Sequence, residues 1–160
     1  MKRGDFLQAW GLSGLKLKLG FVEAEFAPTD TDRLAAWELY VELLTRITTQ
    51  PLPDADGDEP TALASVHALF PLTREILRKH GPGSNEFAKL AIPVLNQIIR
   101  PFTARWHKLA LVRAFDDPAH RAQFRAELTA LQIQLRHYTQ ALASLAGVED
   151  LTDLTGERAV

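Results

Sequence analysis

Phe124, Leu128, Leu131, Leu135, Tyr138, Leu142 and Leu145 follow one another by alternating steps of four and three. That spacing keeps one apolar stripe on one side of a helix for the whole run, and it is the spacing of coiled-coil-like packing between long helices. The stripe is bracketed by helix punctuation. Asp116-Asp117-Pro118 supplies acids and then a proline at the first helical position, and Gly147 supplies the left-handed stop. A helix over 118–146 therefore has to pack along its full length against other helices, which makes the chain a helical bundle.

The rest of the sequence divides around that helix. Thr29 to Asp32 offer capping and acidic residues for a first helix running through AAWELYVELLTRITT and stopping before Pro51. Leu34, Trp37, Val41, Leu44 and Thr48 share one helical spacing and are expected to form its inner stripe. Glu38, Glu42 and Arg46 step by four on the other side, as a solvated row. Pro60 opens a second helix over 61–79, with Leu63, Val66, Phe70, Thr73 and Leu77 inward and a kink at Pro71. His80-Gly81-Pro82-Gly83 ends it. Ser84 is placed to cap a third helix. One of its stripes holds Phe87, Ala91, Val94, Ile98, Phe102 and Leu109, and a second face holds Ile92, Leu95, Ile99 and Trp106. Apolar on two faces, it reads as the central helix, bent or divided by Pro93 and Pro101. The expected architecture is all-α: an up-and-down bundle of four main helices over 29–147, preceded by an extended arm over 1–28 and followed by an acidic tail over 148–160.

The arm alternates in the manner of a strand. Leu15, Leu17, Leu19 and Phe21 are interleaved with Lys16, Lys18 and Gly20, and a second alternation runs Val22 to Phe26 before Pro28. A lone strand leaves its backbone groups unpaired, so the arm is expected to lie on the helices, pair with itself, or pair with another chain. Leu15, Leu17, Leu19 and Phe21 are the candidate partner contact.

The chain has 160 residues and a net charge of −2, which fits one domain. No apolar run is long enough to span a bilayer, and Gln8, Lys16 and Lys18 interrupt any signal-peptide core. Cysteine is absent, which excludes disulfides, thiolate metal sites and cysteine nucleophiles. The expected location is the cytoplasm. The charge is uneven: from Phe87 to Phe115 there is no acid, against Lys89, Arg100, Arg105, Lys108 and Arg113. Such a helix either pairs with acidic neighbours inside the fold or presents a positive surface.

The candidate site lies in that stretch. Asn96, Arg100, Thr103 and His107 step by four, three and four, forming a polar stripe on one side of the third helix. As structure, the stripe would satisfy carbonyls freed by the prolines, with Arg100 buried and paired to Glu38 or Glu42. As a site, Arg100 would bind an anion and His107 would titrate. A buried, saturated stripe with an apolar patch elsewhere fits an interaction module. An open pocket lined by Arg100 and His107 fits a small-molecule or nucleotide-binding protein. Phe102, Trp106 and Phe115 interleave with the cations, as in base-stacking proteins, but Phe102 and Trp106 fall on apolar faces and the chain is acidic overall. Nucleic acid is therefore not the favoured partner.

Other chemistry has less support. Asp54, Asp56, Asp58 and Glu59 suggest a calcium loop, but Gly57 comes too early and Ser65 stands where the bidentate Glu belongs. The paired Glu-x-x-His motifs of di-iron bundles are missing, as are His-Glu-x-x-His, a Gly-rich phosphate loop and a nucleophile elbow. No cofactor, metal or catalytic residue is assigned.

The runs AAWELYVELLTRITTQPL, LFPLTREIL and VLNQIIRPFTARWHKL resemble a group of uncharacterised bacterial helical proteins. Those proteins carry a related Asn-x-x-x-Arg-Pro-x-x-x-x-Trp run, matched here by Asn96, Arg100, Pro101 and Trp106, and some travel with phage-defence or conflict genes. The resemblance covers Ala35–Leu109. It implies a bacterial interaction or regulatory module and supplies no catalytic residues; together with the missing catalytic motifs and the unpaired arm, the favoured reading is a non-catalytic subunit with a protein partner or self-association.

Overall fold

The computed structural model of the chain describes residues 15–18 and 23–156. Four helical columns form the bundle. The first is α1, Asp30–Leu44. The second is broken into α2, Glu59–His67, and α3, Leu69–His80. After a 3-10 turn at Gly81–Ser84, the third runs through α4, Asn85–Pro93, a π-helical segment, Val94–Ile99, and α5, Arg100–Leu111. A 3-10 turn at Ala114–Asp116 leads to the fourth, α6, Pro118–Ala146. A short α7, Thr152–Gly156, follows.

The fourth column matches its sequence pattern. Asp117 caps α6 through the Ala119 amide at 2.9 Å, Pro118 stands at the first position, and Gly147 closes the helix at φ 70. All seven residues of the repeat, from Phe124 to Leu145, are buried. The most extensive helix–helix contact joins α6 to α1. The α1–α6 pair, rather than the proline-broken third column, is therefore the centre of the bundle, and Ile92 on the expected second apolar face stays 45% exposed.

The face of α1 differs from the expected one. Its buried residues are Asp32, Ala35, Ala36, Leu39, Tyr40, Leu43 and Leu44, a continuous three-and-four pattern, while Leu34, Trp37 and Val41 point outward. Two of the buried residues, Ala35 and Ala36, are fully enclosed. The helix also ends earlier than expected, at Leu44. Thr48 and Thr49 turn their hydroxyls onto the Leu43 carbonyl at 2.9 and 2.7 Å, side-chain bonds that compete with another helical turn. Polar residues of α6 then take up the loop carbonyls: Gln132 donates to Ile47 and Gln50, and Arg136 to Thr49.

The prolines divide the columns in two ways. Pro71 has no N–H for the His67 carbonyl, and the chain breaks at Ala68 between α2 and α3. Around Pro93 and Pro101 the backbone stays helical, and the Arg100 amide reaches back five residues to Leu95. A π segment accommodates the missing donors without a sharp break. Ser84 occupies the position before α4 but bonds Gly81 O instead of capping. The cap comes from another helix. Asp32, 1% exposed, accepts from the Phe87 amide at 3.1 Å and, through its other oxygen, from the Thr29 amide at 2.8 Å and hydroxyl at 2.9 Å. One buried carboxylate thus joins the starts of α1 and α4.

The arm pairs with itself. β1, Leu15–Lys18, and β2, Glu23–Phe26, form an antiparallel hairpin with Lys16 opposite Glu25 and Leu17 opposite Ala24. Of the candidate partner contacts, Leu15 and Leu17 lie on β1, while Leu19 and Phe21 fall outside the described residues. Phe26 is fully buried, and Lys89 of α4 holds the hairpin by donating to Glu25 O at 3.2 Å. At the other end the acidic tail docks on the bundle. Thr152 is buried and bonds Thr139 at 2.8 Å, and the Leu151 amide donates to the Tyr40 hydroxyl at 2.6 Å.

Candidate functional site

The polar stripe of the third column is neither buried as a unit nor paired with acids. Thr103 alone is buried, and its hydroxyl donates to Ile99 O at 3.2 Å, the structural role expected beside a proline. Asn96, Arg100 and His107 are exposed. Arg100 donates from Nε and Nη2 to Asn96 Oδ1, at 3.2 and 3.1 Å. The expected ion pair to the first helix does not form, because α1 turns its carboxylates elsewhere. Glu38 takes Lys79 at 2.7 Å and His80 at 3.0 Å, and Glu42 takes Arg46 at 2.8 Å. Burial pushes the Glu38 carboxyl up, but the Lys79 and His80 hydrogen bonds and charges outweigh it and hold the group below its usual value.

Sequence spacing within one helix did not bring in the residues across the seam. The Arg100 guanidinium carbon stands 4.7 Å from the centre of the Phe70 ring, at the start of α3. Arg74, one turn on, lies 5.7 Å from the same ring. His67, at the end of α2, packs its ring 5.6 Å from Phe70 and 5.0 Å, edge to face, from His107. Burial, and then the charge of His67, hold the His107 imidazole below its ordinary value. Among the described residues, no carboxylate pairs with Arg74, Arg100, His67 or His107.

The aromatics interleaved with the cations face inward. Trp106, Phe102 and Phe115 pack around Phe124 with ring centres 5.2 to 5.4 Å from it. Trp106 donates its ring N–H to Glu127, which also takes Arg105 at 2.6 Å. The acidic loop has structural work as well. Asp58 caps α2 through the Thr61 amide at 2.7 Å, and Glu59, 6% exposed, pairs with Arg125 at 2.9 Å. Gly57 sits at φ +70 against Leu52, where a Cβ would lie 2.6 Å from a methyl carbon. The described residues hold no group of three or more His, Asp or Glu placed for a metal ion, and no helix among them is long and apolar enough to cross a membrane.

The opposite face of α3 carries a second candidate. Leu34, Trp37 and Val41 form an outward ridge on α1, respectively 58%, 43% and 40% exposed. Between α1 and α3 runs a cleft of about 340 Å³ lined by Trp37, Val41, Leu72 and Ile76, with Glu38, Glu42, Glu75 and Lys79 at its edges. The turn-by-turn spacing of 34, 37 and 41 is legible in the sequence, but it reads there as core. Compared with family models, curated proteins and solved structures, the chain has no match.

Proposed function

We propose that the protein is a non-catalytic interaction or regulatory subunit that holds a basic amphipathic helix of a partner protein in the α1–α3 cleft. The ridge of Leu34, Trp37 and Val41 carries this reading. Three large apolar side chains stand exposed at helical spacing along one side of α1, and Trp37 and Val41 of them also line the cleft, the kind of surface that marks contact sites. The chemistry of the partner follows from the edges. Lys79 already pairs with Glu38, and Arg46 with Glu42, which leaves Glu75 as the carboxylate at the cleft edge with no described ion pair, so a helix with apolar anchors along one stripe and a Lys or Arg placed to reach Glu75 is complementary. The bacterial setting and defence association belong to the resemblance, and the cytoplasmic location to the absence of cysteine and of a signal-peptide core in the sequence; they are part of the proposal on those grounds.

The test is photo-crosslinking from position 34 in the source organism, with position 133 as control. Ile133 is 57% exposed on α6, away from the cleft. The expected product from position 34 is a partner segment with apolar residues at helical spacing flanked by Lys and Arg, and Trp37→Ala removes it. Identical products from both positions, or a captured segment that is acidic, would overturn the reading.

A further inference from the structure

The seam between α2–α3 and α5 gathers four positively chargeable side chains with no described counter-ion. Arg74 and Arg100 both stack on Phe70, and His67 meets that ring on one side and His107 on the other. Two guanidiniums on one ring repel each other. Contact with the ring face offsets only part of that, since a cation–π contact at an exposed site contributes about 0.5–1 kcal/mol. No acid can relieve the charge from the π segment or α5, because none occurs between Phe87 and Phe115. On α3 the nearby acid, Glu75, lines the cleft on the opposite face. The arrangement is also held in place. Asn96 fixes Arg100 through Nε and Nη2, leaving Nη1 without a partner among the described residues. Phe70, 4% exposed, is itself anchored in the core.

We infer that this seam binds an oxyanion, a phosphate group above all, between Arg100, Arg74 and the His67–His107 pair. Guanidiniums suit this role because their planar donors match phosphate oxygens and stay charged at any working pH. The two imidazoles, edge to face at 5.0 Å, add ring N–H donors beside the guanidiniums. The inference uses a different face from the α1–α3 cleft and does not depend on it.

Titration with inorganic phosphate, followed by NMR of the His imidazole and Arg side-chain N–H resonances, tests it, with chloride at matched ionic strength as reference. Saturable shifts of His67, His107 and Arg100 are expected with phosphate and not with chloride. The His120 ring, 2.9 Å from Asp117 at the start of α6, should stay unmoved. Arg100→Met should abolish saturation, and Arg74→Met should weaken it about tenfold, the loss of one charge-assisted contact. Pyrophosphate binding more tightly than phosphate would assign a polyphosphate-bearing ligand, and equal affinities a single phosphoryl group. Shifts that equal those in chloride, or that persist in Arg100→Met, would overturn the inference. Because Arg100 is exposed, the Met variant keeps the fold, and an unchanged far-UV spectrum checks that.

Discussion

Replacing Asp32 with Ala should be among the most costly changes of a polar residue in this protein. The carboxylate is 1% exposed and accepts from three groups: the Thr29 amide and hydroxyl and the Phe87 amide. Its loss removes half of the capping box at the start of α1, a change that costs about 0.5–2 kcal/mol. It also leaves the Phe87 N–H buried with no acceptor. Stranding such a donor costs about 1–3 kcal/mol. Together these give roughly 3 kcal/mol for Asp32→Ala. Asp32→Asn should fall between Ala and the parent, because one amide oxygen can still serve Phe87 while the NH₂ faces the Thr29 amide. Thr29→Ala should cost only about 1 kcal/mol, the value of an isolated cap. Urea unfolding followed by circular dichroism measures all three, with an unchanged slope showing that the native state stays compact. An Asp32→Ala protein within about 0.5 kcal/mol of the parent, the range of ordinary surface changes, would refute the idea that this carboxylate ties α1 to α4.

Two further outcomes test the core. Leu135 is fully buried in the α6 stripe, so Leu135→Ala should cost about 2–5 kcal/mol in a denaturant melt, the transfer loss plus the cavity left behind. Tyr138 has its hydroxyl buried with no hydrogen-bond partner among the described residues, and burial raises its pKa far above the ordinary tyrosine value. Tyr138→Phe should therefore be neutral or stabilising by up to about 1 kcal/mol, read as an unchanged or raised melting temperature.

The binding readings differ in what they ask of stability. At Trp37, 43% of the side chain remains open, and a Trp carries up to about 250 Å², so ~100 Å² is available to a partner. At ~25 cal/mol per Å² that is worth about 2.5 kcal/mol of association, a change in Kd of roughly 50- to 100-fold. At Arg100 the expected stability loss is under about 1 kcal/mol, because the side chain holds a cation–π contact and a neutral acceptor, not a buried carboxylate.

The amino-acid sequence by itself determined the fourth column. Its repeat allows one buried stripe, and Pro118 and Gly147 mark its ends through local backbone chemistry that needs no neighbour. It also determined that Pro71, Pro93 and Pro101 interrupt the ladder, since a missing N–H is a property of the residue. What followed from each interruption was decided by packing: a break at Ala68, but a π segment after Pro93. The buried face of α1 was likewise undecided, because AAWELYVELL is apolar on more than one side and only the position of α6 selects Ala35, Ala36, Leu39 and Leu43 over Leu34, Trp37 and Val41. The partners of Arg100 were out of reach for the same reason. Spacing placed it beside Asn96 and His107 on one helix, but contact with Phe70, beside Arg74 and His67, comes from a second helix column folding against the first. Local chemistry is written in the order of residues. Which of several apolar or charged faces meets another is a property of the assembled bundle, where burial is shared among all its columns.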